Sequence, residues 1–113
     1  MRVLVCGGRN FGDRHAVYSA LDEIDTTKGI SCIIEGDARG ADRMGKDWAR
    51  SRNIPLETYP ADWDKHGKAA GHIRNRQMLV EGKPDLVLAF QGGVGTDNMV
   101  TQAVNAGVEV ERR

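Results

Sequence analysis

Short apolar runs that alternate with amphipathic stretches constrain this chain more than any other feature. Val3 to Cys6, Ser31 to Glu35, Leu56 to Tyr59 and Leu86 to Phe90 are each too short for a helix. In most of them apolar residues are consecutive rather than alternating, which suits strands buried on both faces. Between them lie helical patterns. Asp13 can cap a helix in which Val17, Leu21 and Ile24 recur at i, i+4 and i+7. After Gly40, the residues Ala41, Met44, Gly45, Trp48 and Ala49 fall on one face. Ile73 to Val80 is predicted helical, although its apolar face is poorly defined. A last helix is expected from near Thr96, packing Met99, Val100, Ala103 and Val104 and stopping at Gly107. Val108 to Val110 follows as an edge strand, and Pro60 to Gly71 is expected to be irregular. Strand–helix alternation with right-handed crossovers predicts an α/β, three-layer Rossmann-like sandwich with a five-stranded parallel sheet. With 113 residues and no repeat or linker, 1–113 reads as a single domain.

Charge and cysteine usage narrow the partners. Sixteen basic and sixteen acidic side chains cancel, so the chain lacks the global pull on DNA or RNA that a basic protein exerts. Cys6 and Cys32 sit in apolar runs without CxxC or metal-ligand spacing, and read as free buried thiols of a reducing compartment. The amino end opens directly on a strand, and no apolar stretch approaches the roughly 20 residues that span a bilayer. A cytoplasmic protein with no membrane partner is expected.

In an open parallel sheet, ligands bind beyond the carboxyl ends of the strands. Every unusual cluster in this chain falls at such an end: Gly7-Gly8-Arg9-Asn10, Gly36-Asp37-Ala38-Arg39-Gly40-Ala41-Asp42, Ala61-Asp62-Trp63-Asp64 and Gln91-Gly92-Gly93-Val94-Gly95-Thr96. Glycines let backbone approach an anion, and helix N-termini offer free N–H donors. The last cluster joins a strand directly to a helix. Its amides could wrap a phosphate, with the Thr96 hydroxyl as a donor or as a helix cap; a tight turn with a simple cap would use the same residues. No GKS or GKT follows the glycines, and Gly7 to Gly12 does not match GxGxxG, so neither a P-loop nor a dinucleotide fingerprint is present.

Lys65 to Arg76 holds Lys65, Lys68, Arg74 and Arg76 with His66 and His72 and no acidic residue, which suits either a phosphate clamp or a solvated helix face. Trp63 could stack on a base or pack a loop against the core, whereas Trp48 is expected in the core. Asp37, Asp42 and Asp62 could bind ribose hydroxyls or act as bases, and capping or turn formation explains each equally well. There is no Ser-His-Asp motif, no HExxH and no paired Cys/His ligands, so no metal and no cofactor is expected. His15 is expected on the surface.

At these loops the sequence resembles the SLOG superfamily, a Rossmann-like group that includes lonely-guy phosphoribohydrolases, the DprA/Smf core and YspA-like proteins. Gly7-Gly8-Arg9, Gly36 to Asp42, Ala61-Asp62-Trp63 and Arg74-Asn75-Arg76-Gln77-Met78 look like motifs of the YspA-like branch, across nearly the whole chain. The resemblance implies a nucleotide or nucleotide-derived messenger as ligand, NAD- or ADP-ribose-related or cyclic, and association into homo-oligomers. In the lonely-guy enzymes PGGxGTxxE binds phosphate and supplies a catalytic glutamate, and RKxxM supplies an arginine. Arg74 and Met78 fit the ends of RKxxM with Asn75 in place of lysine, and Gly92, Gly93, Gly95 and Thr96 fit the phosphate loop. Gln91 replaces the proline, and Met99 stands at the glutamate position. A thioether is no general base.

The leading expectation is therefore a binder that senses or sequesters a nucleotide-derived small molecule, with Gly7, Gly8, Arg9, Asn10, Gly36, Asp37, Gly40, Ala41, Asp42, Asp62, Trp63, Arg74, Asn75, Gly92, Gly93, Gly95 and Thr96 as ligand residues. The alternative is a nucleotide hydrolase in which Asp37, Asp42 or Asp62 replaces the absent glutamate. A DNA-handling role by analogy with DprA is disfavoured by zero net charge.

Overall fold

The computed structural model describes all 113 residues. Five parallel strands, β1 (Arg2–Cys6), β2 (Cys32–Glu35), β3 (Leu56–Thr58), β4 (Leu86–Ala89) and β5 (Glu109–Arg112), form one sheet in the order β3-β2-β1-β4-β5. Side-chain alternation divides the interior into two. Val3, Val5, Ile33, Leu86 and Leu88 point to one face and meet Val17, Leu21 and Ile24 of α1 (Arg14–Lys28) and Trp48 of α2 (Ala41–Ser51). Leu4, Cys6, Cys32, Ile34, Val87 and Ala89 point to the other and meet Met78 of one helix and Met99 and Ala103 of another. This is the expected three-layer Rossmann-like sandwich. Its consecutive apolar runs exist because both faces of β1, β2 and β4 are covered.

Trp48 is fully buried and donates its indole N–H to Asp22 Oδ1 at 2.9 Å, as a buried indole must find an acceptor. His15 is exposed. No helix is long and apolar enough to cross a membrane.

Four expectations are corrected. Pro60 to Gly71 is not irregular throughout: Asp62 caps a short helix, α3 (Trp63–His66), by accepting from the Lys65 amide at 3.1 Å, and a 3-10 turn follows at Gly67–Ala69. That turn leads into α4 (Ala70–Val80), which thus begins before Ile73. The last helix, α5, runs Val94–Asn105, so Thr96 lies inside its first turn and does not cap it; the cap is Gly93, with no side-chain bond. Val104 is 61% exposed because Met99 and Ala103 define the inward stripe of α5.

The chain moves outward from β1 through β2 to β3, then returns to the opposite side of β1 with β4. The strand order therefore reverses between β1 and β4, where an open α/β sheet leaves a crevice at its carboxyl edge.

Candidate nucleotide-ligand site

The loops leaving β1, β2 and β4 meet above that crevice, and several glycines serve their mutual contact. A methyl group at Gly7 would lie 2.6 Å from Ala41 Cβ and 3.1 Å from Phe90 Cβ, and one at Gly8 would lie 3.0 Å from Gly92 Cα. Gly40 has φ 92° and sits against the carbonyls of Gly8 and Arg9, a conformation and a closeness that only glycine supports. Gly92 backs onto the Gly8 amide and the Thr96 side chain. Gly93 and Gly95, by contrast, face open space. The first-turn amides of α5 have no intrahelical acceptor and no capping side chain, so they are free to receive an anion.

Two adjoining cavities open beside these loops. The larger, about 430 Å³, has an apolar floor of Cys6, Met78 and Met99, with walls of Gly7-Gly8, Asp42, Arg74, Asn75 and Gly93 to Thr96. The smaller, about 300 Å³, lies over the end of β2 and is lined by Gly36 to Arg39, Arg43, Pro60 and Ala61. Arg9, Ala38, Trp63 and Arg74 line both and form the wall between them. Within that wall the Arg9 guanidinium lies 5.5 Å from the Trp63 ring centroid, a cation–π contact.

Arg74 is held from two sides: Nη1 donates to the Gly36 carbonyl at 2.6 Å and Nε to Asn75 Oδ1 at 3.0 Å. Neither bond uses Nη2, which keeps donors for a ligand. Asn75, 3% exposed, donates in turn to the Gly95 carbonyl and to Asn98 Oδ1, both at 3.1 Å. One buried amide thereby ties the arginine to the first turn of α5.

Asp42 is 5% exposed, with Oδ2 accepting from the amides of Gly36 at 3.2 Å and Ala38 at 3.4 Å. Burial pushes its pKa up to about 7, with Glu35 adding to the rise and the Arg74 charge and the two amides opposing it. Glu35, fully buried, is also raised by burial. A carboxyl that stays neutral in the folded chain to about 7, but ionises near 3.8 when unfolded, makes stability fall as pH rises across that window and level off above it. Asp42→Asn keeps an oxygen for both amides and is expected to flatten the slope. Urea midpoints measured across that range check it, with Glu35 leaving a residual slope of the same sign. Cys6 faces the same cavity, but burial pushes its thiol up to about 12, so it is no thiolate nucleophile.

The sequence profile of the YspA, cpYpsA-related SLOG family (YAcAr) matches residues 1–66, more than half of the chain. The chain belongs to this family. It is also 39% identical, over 117 residues, to the "Gene 61 protein" of Mycobacterium phage D29, an alignment covering 96% of this chain and 93% of that protein. Membership of the SLOG superfamily points to a nucleotide-related function. The profile takes in Gly7 to Asn10, Gly36 to Asp42, Asp62 and Trp63, and stops before Arg74, Asn75 and the Gly92 to Thr96 loop.

The SLOG fold brings Gly7, Gly8, Arg9, Asp42, Trp63, Arg74, Asn75, Gly93, Gly95 and Thr96 around the larger cavity, and Gly36 and Asp37 around the smaller. Asn10 and Gly92 lie instead on a third recess, beyond Gly8 towards Asp13. Gly40 and Ala41 line none of the three. Gly40 spaces two loops, and Ala41 is buried in the core against Gly7. Asp62 is spent on capping α3. Of the basic stretch Lys65 to Arg76, only Lys68, His72 and Arg74 reach the larger cavity. Arg76 is exposed and lies about 200° around α4 from Arg74, on the opposite side. Arg43 and Val94 are wall residues that sequence reasoning did not select. Arg43 sits in the first turn of α2 outside its buried stripe, a position that on sequence reads as plain solvent.

Proposed function

We propose that the chain acts as one domain that binds a nucleotide-derived small molecule, an NAD- or ADP-ribose-like compound or a cyclic nucleotide signal, as a sensor or a sequestering sponge. The single observation that carries this reading is the pairing, across one cavity, of the uncapped first turn of α5 with the fixed Arg74 guanidinium above an apolar floor. Free amides and a bidentate cation suit a phosphate, and the floor of Cys6, Met78 and Met99 suits an uncharged portion of the same ligand. Met99 is 1% exposed and sits where a phosphoribohydrolase would need a carboxylate, which favours binding over N-glycosidic cleavage. We place the protein in the cytoplasm as a homo-oligomer. Exposed Ile73, Val80 and Val104 are apolar surface that association would cover, and sedimentation equilibrium reads the stoichiometry directly.

The test is a thermal-shift panel of AMP, ADP-ribose, NAD, cyclic ADP-ribose isomers and cyclic dinucleotides, followed by denaturation and mass spectrometry of the recovered ligand. A stabilising ligand released intact supports the binder. One observation favours the hydrolase instead: Asp42, a cavity carboxyl with pKa near 7, is poised for general acid–base work. Recovery of base plus ribose phosphate, lost in Asp42→Asn with binding retained, would establish that alternative.

A further inference from the structure

Resting on the nucleotide reading above, we propose that the smaller cavity is a second anion subsite, so that the ligand carries two phosphate-like groups, one on each side of the Arg9–Trp63–Arg74 wall. Four guanidinium groups line this cavity, from Arg9, Arg39, Arg43 and Arg74, and its one carboxylate is Asp37. Asp37 is already engaged: Lys46 Nζ lies 3.0 Å from its Oδ1 and Arg43 Nε lies 3.6 Å from it. The other three arginines make no ion pair, and their direct contacts are to neutral groups. Arg9 lies over Trp63, Arg39 donates to the Arg9 carbonyl at 3.3 Å and to Asn10 Oδ1 at 3.2 Å, and Arg74 donates to Gly36 and Asn75.

In a chain whose charges cancel overall, four guanidinium groups against one occupied carboxylate give the lining of this cavity a local positive excess that an entering anion would offset. One phosphate cannot satisfy both ends of the site. The α5 amides open only into the larger cavity, Arg39 and Arg43 only into the smaller, and Arg9 and Arg74 face both. Arg9 and Arg74 would thus sit between the two anionic groups. The matching ligand class is a nucleotide with a second phosphate, either contiguous in a diphosphate or at a separate position.

Calorimetric titration of the full chain with AMP, ADP and adenosine 3′,5′-bisphosphate tests this, alongside an Arg39→Gln/Arg43→Gln double variant checked for folding by its thermal melt. At least one two-phosphate compound is expected to bind the wild type about tenfold or more tighter than AMP, as an added charge-assisted contact gives. In the double variant that ratio is expected to fall below about threefold. Whichever of the two shows the advantage tells contiguous from separated phosphates. A wild-type ratio near one for both compounds, or an advantage that survives in the double variant, overturns the second subsite and leaves the binder standing. Failure of all three to bind the wild type overturns the second subsite, and the binder falls with it only if every compound of the wider panel fails as well.

Discussion

Replacing Arg74 by alanine is expected to weaken a phosphate-bearing nucleotide by about 1.5–3 kcal/mol, roughly 10- to 150-fold in Kd, with the chain still folded. The guanidinium is fixed by the Gly36 carbonyl and Asn75 and faces both cavities, so its loss removes charge-assisted donors that no neighbour supplies in the same place. Arg74 itself need not be changed to see the effect. A methyl group at Gly36 would overlap the Arg74 guanidinium, so Gly36→Ala is expected to push the side chain off its perch and weaken binding in the same direction. Titration calorimetry with the best ligand of the panel reads both variants. Affinity unchanged in Arg74→Ala would remove this residue from the site.

The largest loss of stability from a single small substitution is expected at Gly40. Its φ of 92° and ψ of −132° lie where L-residues are strained, and a Cβ there would strike the Gly8 carbonyl and come 2.9 Å from that of Arg9. Strain and overpacking each cost about 1–3 kcal/mol, so Gly40→Ala is expected to lose about 3 kcal/mol or more. Chemical denaturation measures it, and Gly93→Ala is the control. Gly93 has φ −110° and nothing within 4 Å of a built Cβ, so alanine there should leave stability nearly unchanged. Equal stability of the two variants would mean that the loops leaving β1 and β2 are not knit together through Gly40.

The same glycines show what the sequence reveals and what it hides. A missing Cβ signals close approach, but not what approaches. Gly40 and Gly92 make room for other loops, whereas Gly93 and Gly95 face open space, and the letters are identical. The sheet was legible because β1, β2 and β4 are covered on both faces and so carry consecutive apolar residues, Val3 to Cys6, Cys32 to Ile34 and Leu86 to Ala89. Helix α4 was legible only in part, since Asn75 occupies a buried position that an apolar residue would normally fill. That amide is the tie to α5, so the blurred periodicity and the site have one cause. The short helix after Asp62 was missed because its four residues show no period at all, although Asp62 is an ordinary cap. The division into two cavities depends on Arg9 reaching Trp63 across the sheet edge, a contact that no local pattern encodes.

The central place of β1 has a consequence for how the chain is made. Arg2 donates its amide to Asp85 Oδ2, 83 residues further on, and Val3 is in register with Leu86. During synthesis β1 and β2 can pair early, but the other edge of β1 stays open until β4 has left the ribosome, and α5 emerges later still. Such separation makes the closing step slow, and it leaves the early strands with an unpaired apolar edge in the meantime. The larger cavity takes its lining from residues as far apart as Cys6 and Met99, so ligand can meet a finished site only after α5 has been made. Nascent chains that stop short of Leu86 should therefore be captured by chaperones or degraded, and no amount of nucleotide should rescue them.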